Sequence, residues 1–154
     1  MKIAIISDTH DNWANFKKVI EWLNKEKINL ILHCGDISRQ ETLNEMKRLF
    51  NGEIKFVRGN ADVDLIDIPE SDEVESNGKK IAFAHFKEPA VELCKSGKYD
   101  LVFYGHTHKP WMEEINGCRL VNPGEMAGQF YKPTFAIYNL EKDNLELKII
   151  ERLV

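Results

Sequence analysis

Residues 2–57 alternate between two kinds of hydrophobic pattern, and that alternation restricts the fold more than any other feature. Residues 2–6 are a continuous Ile-rich run, short enough for a strand buried on both faces. Trp13, Phe16, Ile20 and Leu23 then recur at helical spacing among lysines and Glu21. They predict an amphipathic helix of about four turns, with Trp13 stapled into the core. Residues 30–32 make a second apolar run, and Leu43, Met46, Leu49 and Phe50 a second helical face. Ser38-Arg39-Gln40-Glu41 has the capping-box pattern at its start, and Asn51-Gly52 ends it. Residues 54–57 are a third strand. Strand, helix, strand, helix, strand implies parallel βαβ units.

The second half changes style. Residues 72–76 and 79–84 flank Asn77-Gly78, and residues 111–115 and 118–121 flank Asn116-Gly117; both are strong hairpin signals. Between them, Pro89 opens a short helix, Gly97 closes it, and residues 99–104 form an apolar strand. Residues 134–140 and 145–150 make a last antiparallel pair. Nothing marks a linker or repeat, so residues 1–154 read as a single domain of ordinary size.

Composition narrows the setting. No apolar stretch is long enough for a membrane span, and the first strand runs directly into Ser7-Asp8 without a signal-peptide core. A cytoplasmic protein with no membrane partner is expected. Cys34, Cys94 and Cys118 are odd in number and lack a CxxC pair, which suits free thiols in a reducing compartment. A net charge of −4 and the absence of a basic track argue against a nucleic-acid duplex as partner.

Residues that ligate metals stand just past the apolar runs. Asp8 and His10 follow the first, Asp36 the second, Asn60 the third, His85 the second hairpin arm, and His106 and His108 the strand before Gly105. The i, i+2 spacing of His106 and His108 would turn both imidazoles to one face of an extended segment. Sites in open α/β sheets form outside the carboxyl ends of strands. Five strand exits would thus bring two carboxylates, one amide and four imidazoles together. That set is too large for one tetrahedral ion and suits two divalent ions. Mixed N and O donors without thiolate suit Mn, Fe, Ni, Co or Zn better than Mg or Ca. Each residue alone could be capping its own turn; seven arriving at matching strand ends could not plausibly all be doing so.

The order Asp-x-His, Gly-Asp, Gly-Asn, His, Gly-His-x-His resembles the calcineurin-like metallophosphoesterase superfamily, over residues 3–124. The short chain is similar to the small YfcE-type phosphodiesterase branch. The resemblance implies a four-layer α/β/β/α sandwich of two mixed sheets flanked by helices. It implies one metal held by Asp8, His10, Asp36 and His108, and a second by Asp36, Asn60, His85 and His106, with Asp36 bridging. The expected cofactors are two divalent transition-metal ions (Mn, Ni, Fe or Zn). His33 is left over and reads as structural, and Cys34 as a packed thiol. The implied reaction is hydrolysis of a small or nucleotide-like phosphodiester by in-line attack of a metal-bridging hydroxide. Asp36, Asn60 and His85 would carry the chemistry, and Asn60, Arg58 and Lys87 would bind substrate.

Three positions depart from the family pattern. Ala61 stands where many relatives carry a His that assists the leaving group, so good leaving groups are expected to be favoured. Phe86-Lys87 follows His85 in place of Gly-His; Phe86 would narrow the cleft, and Lys87 would either replace a phosphate contact or stay solvated. Glu125 follows Asn122-Pro123-Gly124 where Ser is common, and if it faced the site it would repel a dianionic monoester. The alternatives are a phosphomonoesterase and a protein-interaction scaffold like the retromer subunit of the superfamily. Trp111, Phe130 and Tyr131 are candidates for an apolar patch supporting a homo-oligomer, and equally for the core or the substrate cleft.

Overall fold

Neighbouring side chains of the first strand enter two different cores. In the computed structural model, which describes residues 1–154, β1 (Lys2–Ile6) sends Ala4 and Ile6 to one face and Ile3 and Ile5 to the other. The pleat forces this alternation, and burial of both faces explains the unbroken apolar run. Ala4 and Ile6 meet Phe16, Val19, Ile20 and Leu23 of α1 (Trp13–Lys25), and Leu43 and Met46 of α2 (Gln40–Leu49). Each such aliphatic or aromatic side chain withdrawn from water contributes roughly 1.5–3 kcal/mol. Ile3 and Ile5 instead meet the second sheet.

The first sheet also contains β2 (Leu30–His33), β3 (Glu53–Phe56), β9 (Thr134–Asn139) and β10 (Asn144–Ile149), in the order β10-β9-β1-β2-β3. β1, β2 and β3 are parallel, and β9 returns antiparallel to β1. The second sheet has the order β4-β5-β6-β8-β7, from β4 (Ser71–Ser76), β5 (Lys79–Ala84), β6 (Leu101–Phe103), β7 (Trp111–Ile115) and β8 (Cys118–Asn122). β5, β6 and β8 are parallel, while β4 and β7 are hairpin partners at the two edges. Both hairpin turns carry Asn-Gly with positive φ at both residues, as the chain pattern predicts.

Ile81, Phe83, Leu101 and Phe103 face the first sheet, filling the layer between the sheets with Ile3, Ile5, Leu32 and Tyr138. Ala82 and Val102, on the opposite face, are covered by α3 (Lys87–Lys95) through Ala90 and Cys94. The layers are therefore α1 and α2, sheet, sheet, α3: the four-layer α/β/β/α sandwich. No helix is long and apolar enough to cross a membrane.

Several local expectations are corrected. The capping box does not form: α2 begins after Arg39 with no side-chain cap, because the Ser38 amide is taken by Asp62 Oδ1 at 2.8 Å. Pro89 sits inside the first turn of α3, where its missing N–H costs nothing. Trp13 is 39% exposed, edge-on to Phe16, with its indole N–H donated to Thr42 Oγ1. It rims the core instead of filling it. Cys94 on α3 and Cys118 on β8 form a disulfide, leaving only Cys34 as a free, buried thiol. The free-thiol pattern does not hold, so the inference of a reducing compartment loses that support.

Candidate metal centre

The parallel strands of both sheets end at one edge of the sandwich. The turns leaving β1, β2, β3, β5 and β6 carry all seven residues singled out by their position. Five of these residues, Asp8, His10, Asp36, His106 and His108, have positive φ between 45° and 66°. Non-glycine residues pay for that conformation, and strain of this kind gathers where a structure positions functional side chains. His106 and His108 are therefore not on an extended segment. The turn sends them apart, into two different clusters.

One cluster is Asp8, His10, Asp36 and His108; the other is Asp36, His85 and His106, each with potential ligand atoms within 4.8 Å of one another. Asp36 belongs to both. In the first, His108 Nε2 is 3.2 Å and His10 Nε2 3.7 Å from Asp8 Oδ1, and His10 Nε2 is 3.5 Å from Asp36 Oδ2. In the second, His85 Nε2 is 3.3 Å from Asp36 Oδ2, and Asn60 Oδ1 stands 3.0 Å from both His85 Nε2 and His106 Nδ1. Asp8, Asp36, His85 and His108 form a buried floor; Asn60 and His106 form an exposed lip.

Two observations make these clusters fit for cations. Asp8 Oδ1 is buried and has no hydrogen-bond partner, an expensive state for a carboxylate oxygen. The His85 imidazole is also held in the tautomer that presents a lone pair inward. His85 Nδ1 donates to the Cys34 carbonyl at 2.7 Å, and that carbonyl can only accept. In the neutral ring Nε2 then meets Asn60 Oδ1 and Asp36 Oδ2 with a lone pair. Acceptors facing acceptors require a proton or a metal between them, and ligating histidines are fixed in this way. Burial pushes Asp8 and Asp36 upward, but imidazoles outweigh it (His10 and His108 at Asp8, His85 at Asp36) and hold both carboxyls below the usual range. The Asp8 carboxylate, with Oδ1 3.2 Å from its Nε2, pushes His108 up to about 9.

The close approach of the turns depends on glycine at two points. A Cβ on Gly105 would collide with Ser7 Oγ and Asp8 Oδ2, and one on Gly59 with Asp36 Oδ1 and the Asp36 backbone.

His33 lies outside both clusters. Its Nδ1 accepts from the Gly35 amide at 3.1 Å, so Nε2–H donates to Thr9 Oγ1 at 2.9 Å. Burial pushes this imidazole down to about 4, a neutral structural ring. Cys34 is fully buried, and burial pushes its thiol well above the ordinary range.

Two cavities meet at Asn60. One, of about 470 Å³, is bounded by His10, His106, His108, Phe130 and Tyr131. The other, of about 290 Å³, is bounded by Arg58, Asn60, Val63, His85 and Phe86. Phe86 stands edge-on to both His85 and His106, and narrows the cleft. The Arg58 guanidinium donates to the carbonyls of Asp62 and Val63. Lys87 lines neither cavity and pairs with Glu113 on β7 at 3.3 Å. Glu125 is also turned away from the cleft and fully buried against His108, so it does not stand where it would repel phosphate. Phe130 and Tyr131 wall the first cavity, whereas Trp111 opens edge strand β7.

Two residues missed in the sequence support the clusters from behind. Asp62 accepts from the amides of Asp36, Ser38 and Gly59, each at 2.8 Å, tying two ligand turns together. Asn122 donates to Gly105 O and Thr107 Oγ1, each at 3.0 Å. Asp62 follows Asn60 by two residues and could have been noticed as a buried carboxylate close to a ligand motif; its partners could not.

Paired clusters sharing one carboxylate, at the common edge of two packed sheets, define a metallophosphoesterase fold. A sequence model of the calcineurin-like phosphoesterase superfamily domain matches residues 1–143, and the chain belongs to that superfamily. It is 36% identical to phosphodiesterase MJ0936 of Methanocaldococcus jannaschii, over 98% of this chain and all of that protein. It superposes on the structure of an archaeal phosphodiesterase with a TM-score of 0.88 and 33% identity, covering 97% of this chain and 99% of that one. Vps29 of Chaetomium thermophilum shares the fold at a TM-score of 0.76 and 18% identity, covering 96% of this chain and 93% of that one.

Proposed function

We propose that the protein is a phosphodiesterase that uses two divalent metal ions to hydrolyse a small or nucleotide-like phosphodiester. Asp8, His10, Asp36 and His108 would hold the first ion, and Asp36, Asn60, His85 and His106 the second. Bound there, the ions supply Lewis acidity toward the phosphoryl oxygens and an activated water for in-line displacement. The chain's own residues do the rest. Asp36 and Asp8 offset the positive charge, His85 and His108 are held in ligating tautomers, and Asn60 stands at the lip between the two cavities, where a phosphoryl oxygen would lie.

The observation that carries the diester reading is the pair of cavities meeting at Asn60. A diester has two ester arms leaving one phosphorus, and two cavities receive them. Beside the clusters, the only cationic side chain lining either cavity is Arg58, already engaged by two carbonyls. A dianionic monoester would call for more positive charge around its outer oxygens. The intact set of seven ligand-type residues supports an enzyme over a scaffold.

The test is hydrolysis of bis-p-nitrophenyl phosphate against p-nitrophenyl phosphate, on chelator-stripped protein resupplied with Mn or Ni. Metal-restored turnover of the diester, with little of the monoester, is expected. Monoester preference would overturn the substrate class. No turnover of either would favour the scaffold.

A further inference from the structure

A buried carboxylate links the first metal cluster to the wall of its cavity. Glu125 lies just past β8, fully buried. Its Oε2 is 2.6 Å from His108 Nδ1 and accepts from the Gln129 amide at 3.0 Å. Its Oε1 accepts from the amides of Phe130 and Tyr131, each at 2.6 Å. Each oxygen thus has two donors, which exhausts the acceptor capacity of the carboxylate. The backbone beside it is pinned as well: the Met126 and Ala127 amides donate to the carbonyls of Ser7 and Asp8. Asn15 and Asn12 donate to Met126 O and Ala127 O.

We propose that Glu125 is a positioning residue that holds the His108 imidazole and the Gln129–Tyr131 cavity wall in one frame, so that first-site metal affinity and cleft shape depend on it together. The inference rests on the metal reading above. Its physical basis is the direction of one proton. A carboxylate oxygen can only accept, so His108 Nδ1 carries the hydrogen. In the neutral ring that leaves Nε2, the atom facing Asp8 Oδ1 and His10 Nε2, as the lone pair a metal needs. Phe130 packs edge-on to the same ring from the cavity side, with its own amide held by the same carboxylate.

Glu125→Gln separates this role from simple packing. The amide has nearly the same shape but replaces one acceptor with a donor. If its NH₂ faces His108, the ring must present a lone pair at Nδ1 and carry its hydrogen at Nε2, against the metal. If its NH₂ faces Phe130 and Tyr131, two loop amides lose their acceptor.

The experiment titrates Mn(II) into chelator-stripped wild-type protein and Glu125→Gln, with occupancy followed by electron paramagnetic resonance. Amide hydrogen exchange of residues 129–131 is followed in parallel. The expected result is a loss of about 10–100-fold in affinity at one site, little change at the other, and faster exchange in the loop. Glu125→Asp, which keeps the charge but shortens the reach, should show the same selective loss and serves if Glu125→Gln does not fold. Unchanged Mn affinity at both sites in a folded variant would overturn the role of Glu125 alone. Failure of the wild type to bind Mn at all would overturn the underlying metal reading, and this proposal with it.

Discussion

His10 and His108 turn their Nε2 atoms to within 3.3 Å of each other, from turns that leave two different sheets. Two imidazole nitrogens at that distance share either a proton or a cation, and Asp8 Oδ1 stands beside both without another partner. Metal should therefore stabilise the fold as well as enable chemistry. Removal by chelator should lower the melting temperature, and Mn at a hundredfold excess over its dissociation constant should restore about 2.7 kcal/mol. Asp36→Asn, which tolerates the positive φ at that position, should abolish activity and most of the stabilisation, because Asp36 serves both clusters. A melting temperature indifferent to metal would contradict the assignment.

Ala61 lies between Asn60 and Asp62 with its amide donated to Asp36 Oδ1 at 2.8 Å, and its methyl group cannot protonate a leaving group. Introducing the acid by Ala61→His should raise turnover of alkyl diesters by about 10²-fold and leave p-nitrophenyl diesters nearly unchanged. Steady-state kinetics on matched alkyl and aryl substrates decide it. Equal effects on both would mean that protonation of the leaving group does not limit the rate.

His33 is expected to be structural. His33→Asn can keep the acceptor for the Gly35 amide but loses the bond to Thr9 Oγ1. Stability should fall by roughly 1–3 kcal/mol while metal stoichiometry stays at the wild-type value. Loss of one metal equivalent by elemental analysis would make His33 a ligand and the assignment wrong.

Tyr138 is buried between the sheets, and its hydroxyl donates to Asp143 Oδ1 at 2.6 Å. Burial, aided by that carboxylate, pushes its pKa up to about 12. An unfolded tyrosine titrates near pH 10, so the folded state keeps a proton that the unfolded chain releases. The contribution is fully present below about pH 10 and is lost as pH rises toward 12. Denaturant melts across that window should show a steeper loss of stability for wild type than for Tyr138→Phe. Parallel curves would contradict the buried hydrogen bond.

The Cys94–Cys118 bridge joins α3 to β8 across a sequence separation of 24 residues. Closing a loop of that size removes unfolded-state entropy worth about 3.5 kcal/mol. Reductant should lower the melting temperature, and alkylation of the unfolded, unreduced chain should label Cys34 alone. Labelling of all three cysteines without reductant would show that the bridge does not form.

Much of this architecture was legible in the chain because local rules carried it. Unbroken apolar runs marked strands buried on both faces, period-3.6 patterns marked α1 and α2, and Asn-Gly pairs marked both hairpins. The ligand-type residues could be found because strand ends are where parallel sheets place side chains in common. What went unread depended on partners far along the chain. Ser38 looked like a helix cap, but the carboxylate of Asp62, 24 residues away, takes its amide. Lys87 had no visible partner until β7 supplied Glu113, and Cys94 and Cys118 looked unpaired until α3 lay across β8.

Glu125 draws the boundary most sharply. The sequence by itself determined the strands, the two hairpins and the identity of the residues at the strands' exits, because periodicity, turn chemistry and donor type are local properties. It could say only that a negative charge stands near the site. Tertiary structure alone decided that this carboxylate accepts from His108 and three loop amides instead of facing substrate, and which imidazole nitrogen points at Asp8. A hydrogen bond depends on where both partners stop in space, and packing of the whole chain sets that position.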